Sequence, residues 1–320
     1  MRRAVAEGTL FIGPTRLGDG VLVTGLVEHL ARTGTPLTIA CGPLALALFG
    51  HAPGIARRLA VRKRALSLHW LGLWAATVGA SWDRVVDLRG SALAYALRAR
   101  ERMVYRPRAA NGHRLTELAG ALGLSTPPGP RLWLTDVERD AAARLVPAGR
   151  FLALGPTANW PGKIWPAERF AALATALVGP GGVRHGASVV VLGAPGEESF
   201  ARPLLERLPG AVDLVGRTSV PIAGALLERA ALYVGNDSGL MHLAAAAGAP
   251  TVGLFGPSRV ERYAPWGPRA RAVRTPEPYE ALFPPGYDRL TTGSLMTSLA
   301  VEPVLAACEG LLAEAGGAAA

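Results

Sequence analysis

This chain of 320 residues contains few of the features that mark secreted, repetitive or membrane-spanning proteins. It has two cysteines, Cys41 and Cys308, which lie far apart and lack the spacing of a metal site. A reducing, cytoplasmic compartment fits this cysteine usage best. The N-terminal stretch "MRRAVAEGTLFIG" has neither the apolar core nor the cleavage site of a signal peptide, so we expect no secretory leader.

Lysine is almost absent, since only Lys63 and Lys163 occur among the 34 basic residues. A GC-rich genome explains the preference for arginine, but it does not explain where the positive charge lies. Residues 1–150 carry 21 Arg and Lys against 10 Asp and Glu, whereas residues 151–320 carry 13 against 14. The positive first half therefore favours an anionic partner, such as nucleic acid, an acidic membrane or a phosphorylated substrate.

Short β-branched runs alternate with helical patterns along the chain. Because the strand-like runs are almost continuously apolar, they predict an α/β fold of parallel sheets covered on both faces. The predicted strands cover residues 9–13, 36–40, 83–88, 150–156, 188–193, 231–235 and 250–255. The predicted helices lie near residues 20–33, 91–100, 113–122, 136–146, 166–178, 197–208, 219–230 and 238–247.

The alternation of strands and helices restarts near residue 150, after Pro147 and Gly149 interrupt a helical pattern. We therefore predict a first domain over residues 1–148 and a second over residues 149–294, followed by a helical stretch within residues 295–320. Two such domains of similar size would face each other across a cleft. Ligands of such sheets bind where the parallel strands end.

The segment "VGNDSGLMHLAAAAGAP" (234–250) joins a buried strand to a helix through a polar turn. Asp237 or Ser238 is suited to cap this helix, and Gly239 allows a ligand to approach the backbone. A helix start offers unpaired N–H groups and the positive end of the dipole, which together bind phosphate. His242 lies on the same side of the helix and can donate to a ligand oxygen. A capped helix with a satisfied histidine is the alternative interpretation.

A second strand–loop–helix segment, "GPTANWPGKIWPAERFAAL" (155–173), contains Lys163, the only lysine of the second half. In a chain that otherwise uses arginine, this lysine indicates a need for a compact, strongly hydrated cation. Thr157 and Asn159 could add hydrogen bonds to the same anion. A surface loop with an incidental lysine is the alternative.

A third segment, "FIGPTRLGDGVLVTGLVEHL" (11–30), is similar to a dinucleotide-binding loop but lacks its third glycine, because Val23 stands there. No acid ends the next strand either, so we do not expect a Rossmann dehydrogenase. Asp19 either caps the following helix or acts as a general base.

These segments, in this order and at these distances, make the chain resemble glycosyltransferase family 9, the ADP-heptose:lipopolysaccharide heptosyltransferases. Four stretches are similar to family motifs: "RLGDGVLVTGLVEHL", "DRVVDLRGS", "KIWPAERFAALA" and "VGNDSGLMHLAAAAGAPTVGLFGPS". The resemblance implies a GT-B architecture of two Rossmann-like, doubly wound parallel-sheet domains, with the acceptor on the first and the nucleotide-sugar on the second. It also implies inversion at the anomeric carbon without a metal or other cofactor, and the sequence shows no Asp-x-Asp pair.

The resemblance also implies roles for single residues. Asp19 matches the family's proposed base, and Lys163 matches its pyrophosphate-binding lysine. Glu197 stands where the family often has an acid near the nucleoside, with Glu198 as the competing choice. The remaining matches to the donor-binding signature are Asp237, Ser238, Gly239 and His242, with Thr157 as a looser match in a loop of different length. The final helical stretch, about residues 295–314, is expected to pack back on the first domain.

The segment "RRLAVRKRALSLHWLGLWAATVGASW" (57–82) combines five basic residues with an apolar stretch. Family acceptors are anionic, lipid-anchored saccharides at the inner membrane. We therefore expect Arg62, Lys63 and Arg64, together with Arg16, to face acceptor phosphates or acidic lipid. An apolar run of about 18 residues is short for a membrane span, and a buried core helix is the alternative. We expect a cytoplasmic protein in peripheral contact with the inner membrane and no nucleic-acid partner.

Three functions remain open at the level of the sequence. The first is an inverting glycosyltransferase that moves a heptose or related sugar from a nucleotide-diphosphate donor, ADP-heptose by resemblance, to an anionic glycan such as the lipopolysaccharide core. The second is a nucleotide-sugar epimerase on the same fold, which would need more acid/base groups than His242 and the acids at 197–198. The third is a nucleotide-sugar-binding protein without catalysis, against which Asp19 argues.

Overall fold

The computed structural model describes residues 8–63, 65–106, 112–146, 149–289 and 291–317. The chain divides into two units, Met1–Trp133 and Leu134–Ala320. Each unit contains one sheet in which every pair of neighbouring strands is parallel, with helices between the strands. The prediction of an α/β fold with parallel sheets is confirmed.

The first unit has a five-stranded sheet in the order β3-β2-β1-β4-β5. Its inner strands β1 and β2 are buried along their whole length, as their apolar sequences predict. The strands are β1 (Thr9–Ile12), β2 (Leu37–Cys41), β3 (Ile55–Ala60), β4 (Ser81–Asp87) and β5 (Arg98–Val104). The helices are α1 (Leu17–Leu22), α2 (Thr24–Ala31), α3 (Pro43–Leu46), α4 (His69–Thr77) and α5 (Arg114–Gly120).

The second unit has a six-stranded sheet in the order β11-β10-β9-β6-β7-β8. Its strands are β6 (Leu152–Gly155), β7 (Val189–Gly193), β8 (Val212–Val215), β9 (Leu232–Asn236), β10 (Thr251–Phe255) and β11 (Ala270–Arg274). Its helices are α6 (Asp136–Leu145), α7 (Ala167–Val178), α8 (Glu198–Leu205), α9 (Val220–Arg229), α10 (Gly239–Ala246), α11 (Val260–Tyr263) and α12 (Val301–Gly317).

All seven predicted strands are present in the structure. The four strands that the sequence pattern did not reveal are β3, β5, β8 and β11, which form the edges of the two sheets. Edge strands are partly exposed and carry charged residues, so they lack the apolar run that marks a central strand. The predicted helix at residues 91–100 is wrong, because a short 3₁₀ turn over Ala92–Tyr95 leads directly into β5.

The division between the units falls after Trp133, earlier than the predicted boundary at residues 148 and 149. The reason is α6, which the sequence analysis assigned to the first domain. It packs against α9 of the second unit, where Arg139 Nε lies 3.0 Å from Glu228 Oε2 and Arg229 Nη1 donates to the carbonyl of Ala142 at 3.2 Å. Of the two residues on which the predicted boundary rested, Pro147 lies outside the described residues, whereas Gly149 lies within them.

The prediction that the C-terminal helix packs on the first domain is also corrected. The apolar stripe of α12, formed by Val304, Cys308 and Leu311, is buried in the core of the second unit together with helix α7 and the sheet. Upstream of the helix, the indole of Trp165 donates to the carbonyl of Leu299 at 2.8 Å. The helix therefore completes the second unit.

Both cysteines are free and buried, one in each unit. Burial raises the pKa of the Cys41 thiol and of the Cys308 thiol to about 12. Each thiol is therefore protonated at neutral pH and acts as a small apolar group in its core.

In each sheet, strand order reverses at one pair of neighbouring strands: β1 and β4 in the first unit, β6 and β9 in the second. The loops that leave these two strands turn away from each other and open a crevice at their carboxyl ends. Asp19 follows β1, Lys163 follows β6 and Asp237 follows β9. The predicted site residues therefore lie where doubly wound sheets bind ligands.

We predict that Leu311→Ala loosens the second unit around α12. Truncation of a fully buried leucine costs about 2 to 5 kcal/mol, so amide hydrogen exchange measured by mass spectrometry should become faster in α12 and α7. Glu309→Ala, at an exposed position of the same helix, is the control and should leave the exchange unchanged. Equal exchange in the two variants would contradict the assignment of α12 to this core.

Candidate functional site

The switch point of the second unit brings together two loops that are far apart in sequence. β6 and β9 are paired with Gly155 opposite Gly235, so both strands end at the same edge of the sheet. The loop after β6 carries Thr157 and Lys163, and the turn after β9 carries Asp237 and Ser238.

Asn236, the last residue of β9, fixes the two loops to each other. Its side chain is fully buried, its Nδ2 donates to the carbonyl of Pro156 at 2.8 Å, and its Oδ1 accepts from the backbone N–H of Trp165 at 3.1 Å. The amide thus holds both ends of the loop that contains Lys163. This role of Asn236 was not predicted from the sequence, although a polar residue at the end of an apolar strand was the available signal.

Lys163 and Asp237 form an ion pair in which Nζ lies 2.5 Å from Oδ2. Both groups are shielded from water, since the side chain of Lys163 is 19% exposed and that of Asp237 is 8% exposed. Shielding strengthens their attraction and holds the ammonium group at the switch point. The structure therefore brings these two predicted site residues into contact.

The helix that follows, α10, begins at Gly239 with Ser238 at the N-cap position. Neither Ser238 nor Asp237 caps it in the predicted way, because no side chain makes a capping hydrogen bond. The Ser238 hydroxyl is buried and faces the phenol of Tyr233, to which it can donate a hydrogen bond. The helix start thus presents backbone N–H groups without a side-chain cap, directly after the residue Asp237 that pairs with Lys163, which is an arrangement that binds an anion.

Tyr233 lies directly beneath this turn. Its phenol is fully buried, and burial raises its pKa. A Cβ atom at Gly155 would lie 2.0 Å from the phenol oxygen and one at Gly235 would lie 2.3 Å from it, so both strand ends require glycine. This buried tyrosine was not predicted from the sequence as part of the site.

Thr157 and Glu197 are also joined. The Thr157 hydroxyl donates to Glu197 Oε2 at 2.6 Å, and the backbone N–H of Ala194 donates to the same oxygen at 2.9 Å. Glu198 is exposed, and hydrogen bonds from its own N–H and that of Gly196 lower its pKa. Glu197 is therefore oriented toward the switch point, whereas Glu198 closes its own turn at the end of β7.

His242 is buried on the first turn of α10, four residues after Ser238. This position agrees with the predicted placement on the side of the helix that begins at the site.

In the first unit, Asp19 lies in the first turn of α1 and is half-buried. It does not cap that helix, because α1 begins at Leu17 and the N-cap position is the exposed residue Arg16. Among the described residues, no hydrogen bond or ion pair holds the Asp19 carboxylate, so the capping alternative is wrong. At the neighbouring strand end, Asp87 is buried and accepts from the backbone N–H groups of Arg89 and Ser91 at 2.8 and 2.9 Å.

The basic segment at residues 57–82 does not form a buried helix, which was the alternative interpretation. It passes from β3 through a short 3₁₀ turn into α4, in which four of nine residues are exposed and only Leu73 and Thr77 are buried. Arg62 and Lys63 are exposed, whereas Arg64 lies outside the described residues. Apolar side chains stand out in solvent beside them, with exposures of 92% for Leu66, 62% for Leu71 and 42% for Trp74. Trp82, by contrast, is in the core.

None of the described helices is long and apolar enough to cross a membrane. Within the described ranges, no group of three or more His, Cys, Asp or Glu side chains is arranged to hold a metal ion.

The sequence matches a family model, that of glycosyltransferase family 9 (heptosyltransferase), over residues 70–283. Two solved structures share the fold of this chain along almost its whole length. A glycosyltransferase family 9 protein from Veillonella parvula has a TM-score of 0.78 with 21% identity, covering 97% of this chain and 99% of the other. The ADP-heptose lps heptosyltransferase II of E. coli has a TM-score of 0.73 with 20% identity and the same coverage. These likenesses show the GT-B fold.

Curated relatives match over a shorter stretch. Lipooligosaccharide heptosyltransferase 2 of Haemophilus influenzae is 32% identical over 119 residues, which is 36% of this chain and 33% of that protein. Lipopolysaccharide heptosyltransferase 2 of Escherichia coli is 35% identical over 119 residues, with the same coverage. The matched region thus spans about a third of the length of these relatives.

We predict that Asn236→Ala lowers both stability and nucleotide affinity. It leaves the Pro156 carbonyl and the Trp165 N–H buried without partners, which costs about 2 to 4 kcal/mol, and Tm falls by about 2 to 4 °C per kcal/mol. Thermal unfolding and calorimetric titration with ADP measure the two effects. Asn159→Ala, at an exposed position of the same loop, is the control for stability. A Tm equal to that of the wild type would contradict the role of Asn236.

Proposed function

Because the chain belongs to glycosyltransferase family 9, the heptosyltransferase family, we propose that it moves a heptose or related sugar from a nucleotide-diphosphate donor, ADP-heptose, to a hydroxyl of the lipopolysaccharide core or another anionic glycan. The observation that carries the proposal is the uncapped start of α10 beside the shielded ammonium group of Lys163. The names of relatives from Haemophilus influenzae and Escherichia coli support the sugar and acceptor class.

In this proposal the diphosphate of the donor lies at the start of α10. The N–H groups after Ser238, the Ser238 hydroxyl and Lys163 receive the negative charge that grows as the bond between sugar and phosphate breaks. Groups already fixed in a partly buried site stabilise a transition state without reorganising, which is the main source of electrostatic catalysis. These groups do the work that a metal ion does in other transferases, so we propose a reaction that needs neither metal nor cofactor.

Asp237 has a different task from the groups that contact phosphate. Its carboxylate would repel a diphosphate, but it is paired with Lys163 and therefore orients the ammonium group. The pair leaves the further N–H donors of the ammonium available to a phosphate oxygen. Glu197, held by Thr157, is our candidate for the ribose hydroxyls, because an oriented carboxylate accepts hydrogen bonds from a diol.

Asp19 acts as the general base in the proposed reaction. Its carboxylate takes the proton of the acceptor hydroxyl while the oxygen attacks the anomeric carbon, and the nucleoside diphosphate leaves from the opposite face with inversion. The support for this role is its place at the switch point of the first sheet and the absence of a structural partner among the described residues.

Incubation with ADP-heptose and heptose-deficient lipopolysaccharide tests the proposal, and we expect a heptosylated acceptor and free ADP. Asp19→Ala should lower turnover by about 100-fold or more, the scale of a lost general base, while ADP affinity stays within about twofold, since the residue does not contact the nucleotide. Asp83→Ala, at a surface ion pair of the first unit, is the matched control with normal turnover. Formation of an isomerised donor would favour an epimerase. The absence of both the transfer product and the isomerised donor would indicate a binding protein.

We further propose that the surface around α4 contacts an acidic membrane. Leu66, Leu71 and Trp74 are apolar and exposed, and the basic residues Arg62 and Lys63 precede them in the chain. Leu66 and Ser67 have positive φ angles of 51° and 59°, a strained conformation for residues with a side chain. Basic charge beside exposed apolar side chains suits the headgroup region of an anionic bilayer.

Vesicle sedimentation tests the membrane proposal. The protein should bind vesicles of phosphatidylcholine with phosphatidylglycerol more tightly than pure phosphatidylcholine, and high salt should weaken the binding. The combined change of Arg62 and Lys63 to Ala should weaken it by about tenfold or more, at about 1 kcal/mol per basic residue. Trp74→Asp should also lose binding, whereas Val137→Asp, at an exposed apolar position of the second unit, should not. Binding that ignores salt and anionic lipid would contradict the proposal.

A further inference from the structure

A cavity of about 190 Å³ lies at the carboxyl ends of β10 and β11, one strand away from the switch point of the second unit. Gly256, directly after β10, and Arg274, at the end of β11, form part of its wall. Pockets that hold a drug-sized ligand usually measure about 300 to 1,000 Å³. This cavity is smaller and therefore suits a single sugar ring better than a whole nucleotide.

Three contacts place the cavity next to the Lys163 loop. In the sheet, the backbone N–H of Asp237 donates to the carbonyl of Leu254 at 3.1 Å, two residues before Gly256. The segment at Leu295 connects the Lys163 loop with the cavity. Its N–H donates to the carbonyl of Gly162 at 3.0 Å, and its own carbonyl lies 3.2 Å from where a Cβ atom of Gly256 would be.

A row of four aromatic rings makes the third connection. Ring centroids are 6.0 Å apart between Trp160 and Tyr287, 5.0 Å between Tyr287 and Phe283, and 5.2 Å between Phe283 and Tyr279. Trp160 stands three residues before Lys163, and Tyr279 lines the cavity. Packed rings of this kind form a continuous wall from the lysine loop to the cavity.

The chemistry of the cavity is balanced in charge and rich in hydrogen-bonding groups. Arg259 and Arg274 are matched by Glu261 and Glu280, so the lining as a whole does not select an anion. The lining also includes Ser258, whose hydroxyl is buried and has no hydrogen-bond partner among the described residues. A buried hydroxyl without a partner is costly unless a ligand or water completes it.

Two of these groups are held in place by each other. Arg259 Nη2 lies 3.2 Å from Glu280 Oε1, and the Arg259 guanidinium stacks 4.6 Å from the centre of the Tyr279 ring. Carboxylate oxygens accept from sugar hydroxyls, guanidinium groups donate to them, and an aromatic ring packs on the C–H face of a sugar. Uncharged polyols present all three complementary surfaces.

We propose that this cavity holds the glycosyl group of the donor, with Ser258, Arg259 and Glu280 bonded to its hydroxyls. The inference rests on the proposed function, because the diphosphate at the start of α10 determines where the attached sugar lies. It assigns sugar recognition to the loops after β10 and β11, and nucleotide recognition to the loops after β6, β7 and β9.

Calorimetric titrations with ADP and with ADP-heptose separate the two assignments. Glu280→Gln and Ser258→Ala should each weaken ADP-heptose binding by about tenfold while ADP binding stays within twofold, because only the sugar reaches these side chains. Glu206→Gln, an exposed glutamate of the same unit, is the matched control and should change neither affinity.

Each other outcome has a defined meaning. If both ligands bind the two variants as they bind the wild type, the cavity does not hold the sugar, and the proposed function stands. If the affinities for ADP and for ADP-heptose fall equally in the variants, the substitutions act on the diphosphate site and the inference is overturned. If the wild type binds neither ligand, the proposed function fails and the inference fails with it.

Discussion

The buried amide of Asn236 is the constraint on which the site of the second unit depends. It closes hydrogen bonds to Pro156 and Trp165, on either side of the loop that carries Lys163. Because the same residue ends β9, the position of the lysine is determined by the position of the turn at Asp237. The ion pair between Lys163 and Asp237 therefore forms between residues whose backbones are already fixed relative to each other. A single uncharged side chain thus pre-organises a charged site.

The part of the fold that burial determines could be predicted from the sequence. Central strands such as β1 and β10 are buried along their whole length and are mostly apolar, so their sequence alone identifies them as strands. Edge strands such as β5 depend on a partner for their structure, and their sequence alone does not distinguish them from a helix or a loop. The helix α6 was predicted correctly as an element but assigned to the wrong unit, since its packing against α9 is a long-range contact that periodicity does not contain.

The candidate site shows the same limit. The residue types at Lys163, Asp237 and Ser238 pointed to an anion site, because charge and helix position can be read from the sequence. Their contacts could not be read, and the missing cap at Ser238 and the phenol of Tyr233 beneath it became visible only in three dimensions. The family model adds the chemistry of sugar transfer, and its match over residues 70–283 includes both Lys163 and Asp237.

Arginines lie on both edge strands of the first sheet, where their charge affects association between molecules. Arg57 and Arg58 are exposed on β3, and Arg98, Arg100 and Arg102 lie along β5. An open strand edge offers unpaired backbone groups to any other extended chain, and charged side chains there discourage association between molecules. Some of the excess charge therefore discourages aggregation, and we expect its neutralisation to lower the solubility of the protein.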